Sequence, residues 1–321
     1  MKPRLTEKIT MYRPSKIHFI AVGSKVIQDL AIHLALEGNH VTCSDEDISG
    51  DSRFRLQQHL LLPDHNGWFP DRITKDTDLV IVGTRARTDN PEIKRAQELG
   101  KAINSFPEYI YSRSIDKQRV VVTGTQGRTM ITSMIIHVLH FHKRKFDYVV
   151  GVRPPGLDGM VRLSDAPLIV IEGHDSPSSP LDPTPVFLKY HHHIGVISGI
   201  DWNHSDKSFS TEDEYIRQFE LFEEATPKGG VLVFSELDPL VTALSNMERP
   251  DVLFVPYKTH ASAHEEGHEY LVTGSKERLT VKITGKQNLQ YISAAKETLK
   301  KVGITSEMFY QAMPTFQGIG D

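Results

Sequence analysis

The sequence predicts an α/β fold built from two successive, mainly parallel sheets. Three observations carry that expectation. Short apolar runs rich in β-branched residues, such as IHFIAV at 17–22, DLVIVG at 78–83, VVVT at 120–123 and LIVIE at 168–172, have the composition of strands buried on both faces. Segments with apolar residues at helical spacing alternate with them. Glycine and polar turns punctuate each change of period, the βαβ pattern of a parallel sheet covered by helices.

In chain order, the strand at 17–22 ends in Gly23, and a helix over 27–37 shows its apolar stripe at Ile27, Leu30, Ala31, Leu34 and Ala35. Gly38 and Asn39 stop it, and a second strand at 40–43 closes at Ser44 and Asp45. An acid at the end of the second strand, about twenty residues after a glycine turn, is the layout of a Rossmann-like dinucleotide unit, in which the acid hydrogen-bonds a ribose. The fingerprint is partial: Val22-Gly23-Ser24-Lys25 stands where G-x-G-x-x-G is expected, so a plain structural turn competes with a nucleotide turn. The strand at 78–83 leads through TRARTDN, with Arg85 and Arg87 available to an anion, to Pro91 at a helix start over 92–99. A short strand follows at 101–104, and the polar stretch 112–118 is the expected domain boundary.

The most informative stretch is 120–136, VVVTGTQGRTMITSMII. It reads as buried strand, phosphate loop and helix. Gly124 and Gly127 free the backbone to turn with its N–H groups inward, and Thr129, Thr132 and Ser133 lie in the first helical turns, where unpaired N–H groups and the helix dipole favour a phosphate. A G-x-x-x-x-G-K-[ST] loop has lysine before the hydroxyl residue, and here Arg128 precedes Thr129. The strand at 168–172 ends in Glu172, placed to hold a magnesium ion opposite the nucleotide, with Asp175 shortly after it. His191, His192 and His193 precede a strand at 194–197; read as strand residues they alternate between faces and do not form one metal site. SGIDWNH then brings Asn203 and His204, side chains suited to a further metal or phosphate contact. Over 211–224 an acidic amphipathic helix carries Tyr215, Phe219 and Phe222 as core residues. Strands are expected at 231–234, 251–256, 269–273 and 278–284, then a helix from about 288 to 301, and the chain closes on a flexible glycine-rich stretch from Phe316.

Composition narrows the function classes. A chain of 321 residues suffices for two domains, and 39% hydrophobic with 24% charged residues is ordinary for a soluble globular protein. A net charge of -4 without a basic stripe argues against a nucleic-acid partner. The single Cys43 rules out an internal disulfide framework and points to a reducing compartment. No apolar segment resembles a signal peptide, and no run approaches the roughly 18 apolar residues of a spanning helix, so a cytoplasmic protein without a membrane partner is expected.

Taken together, these segments resemble the Mur ligases of peptidoglycan synthesis, most closely the UDP-N-acetylmuramate:L-alanine ligase and murein peptide ligase branch. The resemblance is carried in order by IHFIAVG at 17–23, CSDEDIS at 43–49, DNPEIKRAQELG at 89–100, GTQGRT at 124–129, VIEGHDSPSSPLD at 170–182, ISGIDWNH at 197–204, GGVLVFSELDP at 229–239 and the G-x-x-N of Gly285 to Asn288. It implies a Rossmann-like UDP-sugar-binding domain over 1–114, a P-loop-type central ATPase domain over 115–316, and 317–321 as the start of a linker to a third domain. It also implies ATP and Mg2+ as cofactors, a UDP-N-acetylmuramate-type sugar nucleotide and an amino acid or murein peptide as substrates, and ligation through an acyl phosphate.

Carried over by position, Gly124, Thr125, Gly127, Arg128, Thr129 and Asn288 would meet ATP, and Thr129, Glu172 and His204 would hold the metal. Arg128 and His204 would be catalytic, and Gly23, Ser24, Asp45 and Arg85 would lie by the sugar nucleotide. The chain departs from the family pattern at the same places. Arg128 stands for lysine, Ser24 and Lys25 replace glycines, and Glu172-Gly173-His174-Asp175 replaces E-x-D-E. Asn203 replaces an acid, and Gln287 a histidine. Arginine's planar fork is not equivalent to a compact ammonium in a tight loop. The resemblance therefore implies either a working ligase or a degenerate relative that binds a UDP-muramyl ligand or a partner without ligating.

Overall fold

A computed structural model describes residues 14–202, 208–244, 249–265 and 268–319. Its first sheet is parallel and contains β1 (Lys16–Ile20), β2 (His40–Ser44), β3 (Leu79–Val82) and β4 (Ala102–Ser105) in the order β2-β1-β3-β4. The crossovers carry α1 (Lys25–Leu36), α2 (Gly50–Gln58) and α3 (Pro91–Glu98), and α4 (Phe106–Ser112) follows β4. Ile17 pairs in register with both Val41 and Leu79, which makes β1 an interior strand, and its residues from Ile17 to Ile20 are buried. α3 starts where the sequence places it because the Asn90 side chain accepts from the amides of Glu92 (2.8 Å) and Ile93 (3.3 Å), with Pro91 at the first helical position.

The second sheet runs from β5 (Gln118–Thr123) through α5 (Arg128–Phe141), β6 (Asp147–Val149), β7 (Val161–Arg162) and β8 (Leu168–Glu172). A small antiparallel pair follows, β9 (Pro177–Ser179) and β10 (Asp182–Pro185), and then β11 (Ile194–Ile197), α6 (Glu212–Glu224), β12 (Val231–Ser235), α7 (Pro239–Leu244) and β13 (Leu253–Tyr257). The order is β13-β12-β11-β5-β8-β6-β7, parallel except for the β6–β7 pair. β5 lies between β11 and β8, and Val120, Val121 and Val122 are all 0% exposed, as an apolar run in an interior parallel strand requires. α5 buries Ile131, Met134, Ile135, Val138 and Leu139, a continuous stripe at helical spacing. A three-stranded antiparallel sheet of β14 (Ser262–Glu265), β15 (His268–Val272) and β16 (Arg278–Thr280) precedes α8 (Lys286–Lys300) and α9 (Ser306–Ala312).

Three helices escape the sequence pattern. α2 buries only Leu56 and so has no apolar stripe. α4 has seven residues, too few to display a period, although Ser105 and Glu108 form a reciprocal capping box that marks its start. α9 is equally short and is capped by the Thr305 hydroxyl, which accepts from Met308 N. The expected loose end from Phe316 is also corrected: the ring is 1% exposed and packs edge-on against His137 of α5. The three consecutive histidines occupy a turn rather than a strand. His191 adopts a left-handed backbone, His192 is buried against Phe222, and the Nδ1 of His193 accepts from Arg119 N, so their rings part for a different reason than strand alternation. Among the described residues, no helix is long and apolar enough to cross a membrane.

Candidate functional site

The loop between β5 and α5 is shaped by two glycines that no other residue could replace without rearrangement. Gly124 has φ +124°, and a Cβ there would stand 2.3 Å from Ser198 Oγ and 2.9 Å from the backbone of Ser198 and Gly199. Gly127, at φ +82°, caps α5, and its added Cβ would lie 2.2 Å from the ring of Tyr291 on α8. The amide of Thr125 donates to Gly199 O (2.9 Å), and Ser198 Oγ donates to the carbonyls of Thr123 (3.1 Å) and Gln126. β11 thus holds one side of the loop. On the other side, Gln287 of α8 donates to the side-chain oxygen of Gln126 at 2.9 Å.

The residues on α5 and β8 meet as the sequence suggests. Thr129 Oγ1 donates to Glu172 Oε1 at 2.7 Å, and Gly151 N donates to Glu172 Oε2 at 3.0 Å, which orients a carboxylate that is almost fully buried. A hydroxyl and a carboxylate side by side at a phosphate loop are hard oxygen donors, the set a magnesium ion takes when phosphates and water complete its shell. Among the described residues no group of three or more His, Cys, Asp or Glu forms a metal cage. His204 and Asn203 lie outside the described residues.

Arg128 does not point into open solvent. Its guanidinium lies 3.2 Å from Asp175 Oδ1, both side chains being largely buried, at 17% and 20% exposure. Asp175 Oδ2 accepts from the Tyr215 hydroxyl (2.9 Å), which lies 2.9 Å from Thr125 Oγ1. Tyr215, read from the sequence as core alone, therefore has a polar end in the site. Burial first, with the Asp175 carboxylate adding to it, pushes the phenol above its ordinary range, so it stays a neutral donor.

Two cavities flank this centre. One of about 670 Å3 opens beside Thr125, Gln126, Asp201, Asp238, Gln287 and Tyr291. Asn288 is not among its lining residues; its side chain donates to Thr284 O at 2.8 Å, and Gln287 faces the loop instead. A narrower one of about 200 Å3 lies between the sheets and is lined by Ser24, Thr84, Phe106, Gly151, Glu172 and His174. It brings the first glycine turn and the β8 acid to one space, a juxtaposition that no spacing in the sequence discloses. Asp29 of α1, which no motif singles out, links the two sheets nearby. Its carboxylate accepts from Met160 N at 2.5 Å and pairs with Arg55, tying the first sheet's helix to the β6–β7 hairpin.

In the first turn, Asp45 is turned inward. Its oxygens accept from Gly23 N (2.6 Å) and Asp47 N (3.0 Å). Ser24 starts α1 without a side-chain cap and lines the narrow cavity, while Arg85 and Lys25 are exposed.

No family model matches the chain. Its sequence is 25% identical over 313 residues to the UDP-N-acetylmuramate–L-alanine ligase of Arthrobacter sp. (strain FB24), covering 94% of this chain and 64% of that protein. It is 26% identical to the Nitrosomonas eutropha protein of the same name, covering 94% and 65%. The chain thus spans just under two thirds of the length of these curated relatives. In fold it superimposes on the crystal structure of the UDP-N-acetylmuramate:L-alanyl-γ-D-glutamyl-meso-diaminopimelate ligase (MPL) from Neisseria meningitides with a TM-score of 0.84 at 18% identity, covering 96% of this chain and 100% of that one. The MurC structure from Thermotoga maritima gives 0.71 at 23% identity, covering 95% and 69%. Over the length it spans, the chain is thus similar in sequence to UDP-N-acetylmuramate–L-alanine ligases and shares the fold of the MPL and MurC structures.

Proposed function

We propose that this chain works in peptidoglycan synthesis or recycling as an ATP-dependent ligase of the Mur type. It would join L-alanine or a murein peptide to UDP-N-acetylmuramate by amide formation through a phosphorylated carboxylate, in the cytoplasm. The observation that carries the reading is the 2.7 Å contact of Thr129 with Glu172 at the edge of a cavity that also reaches Ser24. In this reading 1–114 receives the sugar nucleotide and 115–316 the ATP. The loop's amides and the N-terminus of α5 bind phosphate oxygens. Thr129 and Glu172 hold a magnesium ion, which when bound neutralises charge on the transferring group. Gly151 N keeps Glu172 aimed at that position, and the walls around Ser24 and Phe106 shield the acceptor carboxylate from water.

A second reading, binding of a UDP-muramyl ligand or a partner without ligation, is favoured by one observation: the loop's arginine is already paired with Asp175. The two separate in two measurements on the natural protein, phosphate release and ligand binding. Phosphate release from ATP with Mg2+, UDP-N-acetylmuramate and an amine donor, abolished in Glu172→Ala, supports the ligase. Calorimetric binding of UDP-N-acetylmuramate with no phosphate release, and turnover appearing in Arg128→Lys, supports the second. Absence of sugar-nucleotide binding at millimolar ligand would sink both.

A further inference from the structure

Arg128 is the one charged side chain between Thr123 and Ser133, so it is the loop's only side-chain cation. Its partner Asp175 also ends a chain of hydrogen bonds whose direction is fixed. The amide of Asp201 can only donate, and it does so to Thr125 Oγ1 at 2.8 Å. The Tyr215 hydroxyl donates to the Asp175 carboxylate at 2.9 Å, which leaves its oxygen to accept from Thr125 at 2.9 Å. Two residues of the phosphate loop, Thr125 through Tyr215 and Arg128 directly, thus converge on one carboxylate that comes from outside the loop. The anion-binding loop holds an anion belonging to the protein itself.

That anion stands on the Glu172 side of the loop, where the function proposed above puts a metal-bound terminal phosphate. Asp175 follows the strand that delivers Glu172, and the Thr129–Glu172 pair marks the metal side of the loop. A triphosphate reaching Arg128 must displace the Asp175 carboxylate or meet it with its most highly charged end. A diphosphate carries less charge and ends short of that point, so it can bind the loop amides while the Arg128–Asp175–Tyr215 arrangement stays intact. We propose that Asp175 is a specificity-determining residue: as a built-in substitute for a terminal phosphate on Arg128, it makes the loop prefer a nucleoside diphosphate to the triphosphate. The proposal rests on the nucleotide half of the function proposed above and concerns which phosphate chain the site retains.

The test is calorimetry on the full-length natural protein with ADP and with ATP, each with excess Mg2+, alongside UDP-N-acetylmuramate as a control ligand. Wild type should bind ADP about tenfold more tightly than ATP. Asp175→Asn should tighten ATP about tenfold, leave ADP within about threefold, and so erase the preference. Tyr215→Phe, which removes one donor to Asp175 but keeps the ring in the core, should give an intermediate gain for ATP, so the idea stays testable if the asparagine variant folds poorly. An equal preference in wild type and both variants, or ATP bound more tightly than ADP by wild type, overturns the assignment while leaving the ligase reading standing. If neither nucleotide binds any variant although UDP-N-acetylmuramate does, both this proposal and the ATP half of the function fall.

Discussion

The first turn after β1 and the loop after β5 are two versions of one construction. Each joins a buried parallel strand through glycine to a helix, and each has an acid at or just past the end of a neighbouring strand. They differ in where the acid's oxygens go. Asp45 is consumed by backbone amides of its own region, Gly23 N and Asp47 N, and stabilises the turn. Glu172 and Asp175 reach across to side chains of the loop, Thr129 and Arg128, which are groups that a ligand can replace. The same sequence signal thus produces a closed turn in one sheet and an exchangeable polar centre in the other.

The strongest way to break this comparison is to fill the glycines. Gly124→Ala combines a left-handed backbone with a contact against the backbone of Ser198 and Gly199, and should lower stability by roughly 3 kcal/mol. Gly23→Ala has no left-handed strain, and its Cβ would meet the end of a side chain, Asp45 Oδ2 at 2.9 Å, so a loss of about 1 kcal/mol is expected. Urea midpoints of the two variants measure the difference; equal losses would contradict it.

Amide replacement of the acids probes the same contrast. Both Asp45 oxygens accept from N–H groups, so Asp45→Asn sets an NH2 against a donor and should cost roughly 2 kcal/mol. Glu172→Gln can keep its oxygen toward Gly151 N and turn its NH2 to the Thr129 hydroxyl, which accepts as readily as it donates, so a loss under about 1 kcal/mol is expected. The cost at Glu172 should instead appear as weaker Mg2+ dependence of nucleotide binding.

Acid should separate the two regions. His137, His191, His192, His193 and His260 all belong to the second, and burial holds each imidazole below its ordinary value, His192 down to about 3 from 6.5. The unfolded chain therefore binds protons that the folded one refuses. Stability is complete above pH 6.5 and falls toward 3, by about 1.4 kcal/mol per unit for the fully buried His192. In the first region, burial works to raise the Glu37 carboxyl, but Arg113 and His33 together hold it below its ordinary 4.5, a contribution lost only below that pH. Urea unfolding at pH 7 and 5, followed by Trp202 in a Trp68→Phe variant and by Trp68 in Trp202→Phe, should show the second region alone weakening. A parallel fall in both would refute the division.

The smallest effect is at Ser24. It begins α1 without a side-chain cap, so Ser24→Ala should stay within about 0.5 kcal/mol, against about 1 for Asn90→Ala, whose side chain caps α3 twice.

Sequence by itself determined the α/β class, the long periodic elements and the glycine loop, because these follow from short-range rules. A buried strand needs a β-branched run, an amphipathic helix needs its stripe, and a left-handed turn needs glycine. It did not reveal α2, α4 or α9, where a single buried leucine or seven residues leave no period to detect. It placed Thr129 and Glu172 at one site, because each sits at the end of an element that the sheet aligns. Only the tertiary structure decided which partner each polar atom takes. Asp45 turned inward to its own amides, Gln287 rather than Asn288 faced the loop, Asp29 became the tie between the sheets, and Tyr215 joined Asp175. Hydrogen bonds between residues tens of positions apart depend on distances that the packing of the two sheets sets, and no local pattern encodes them.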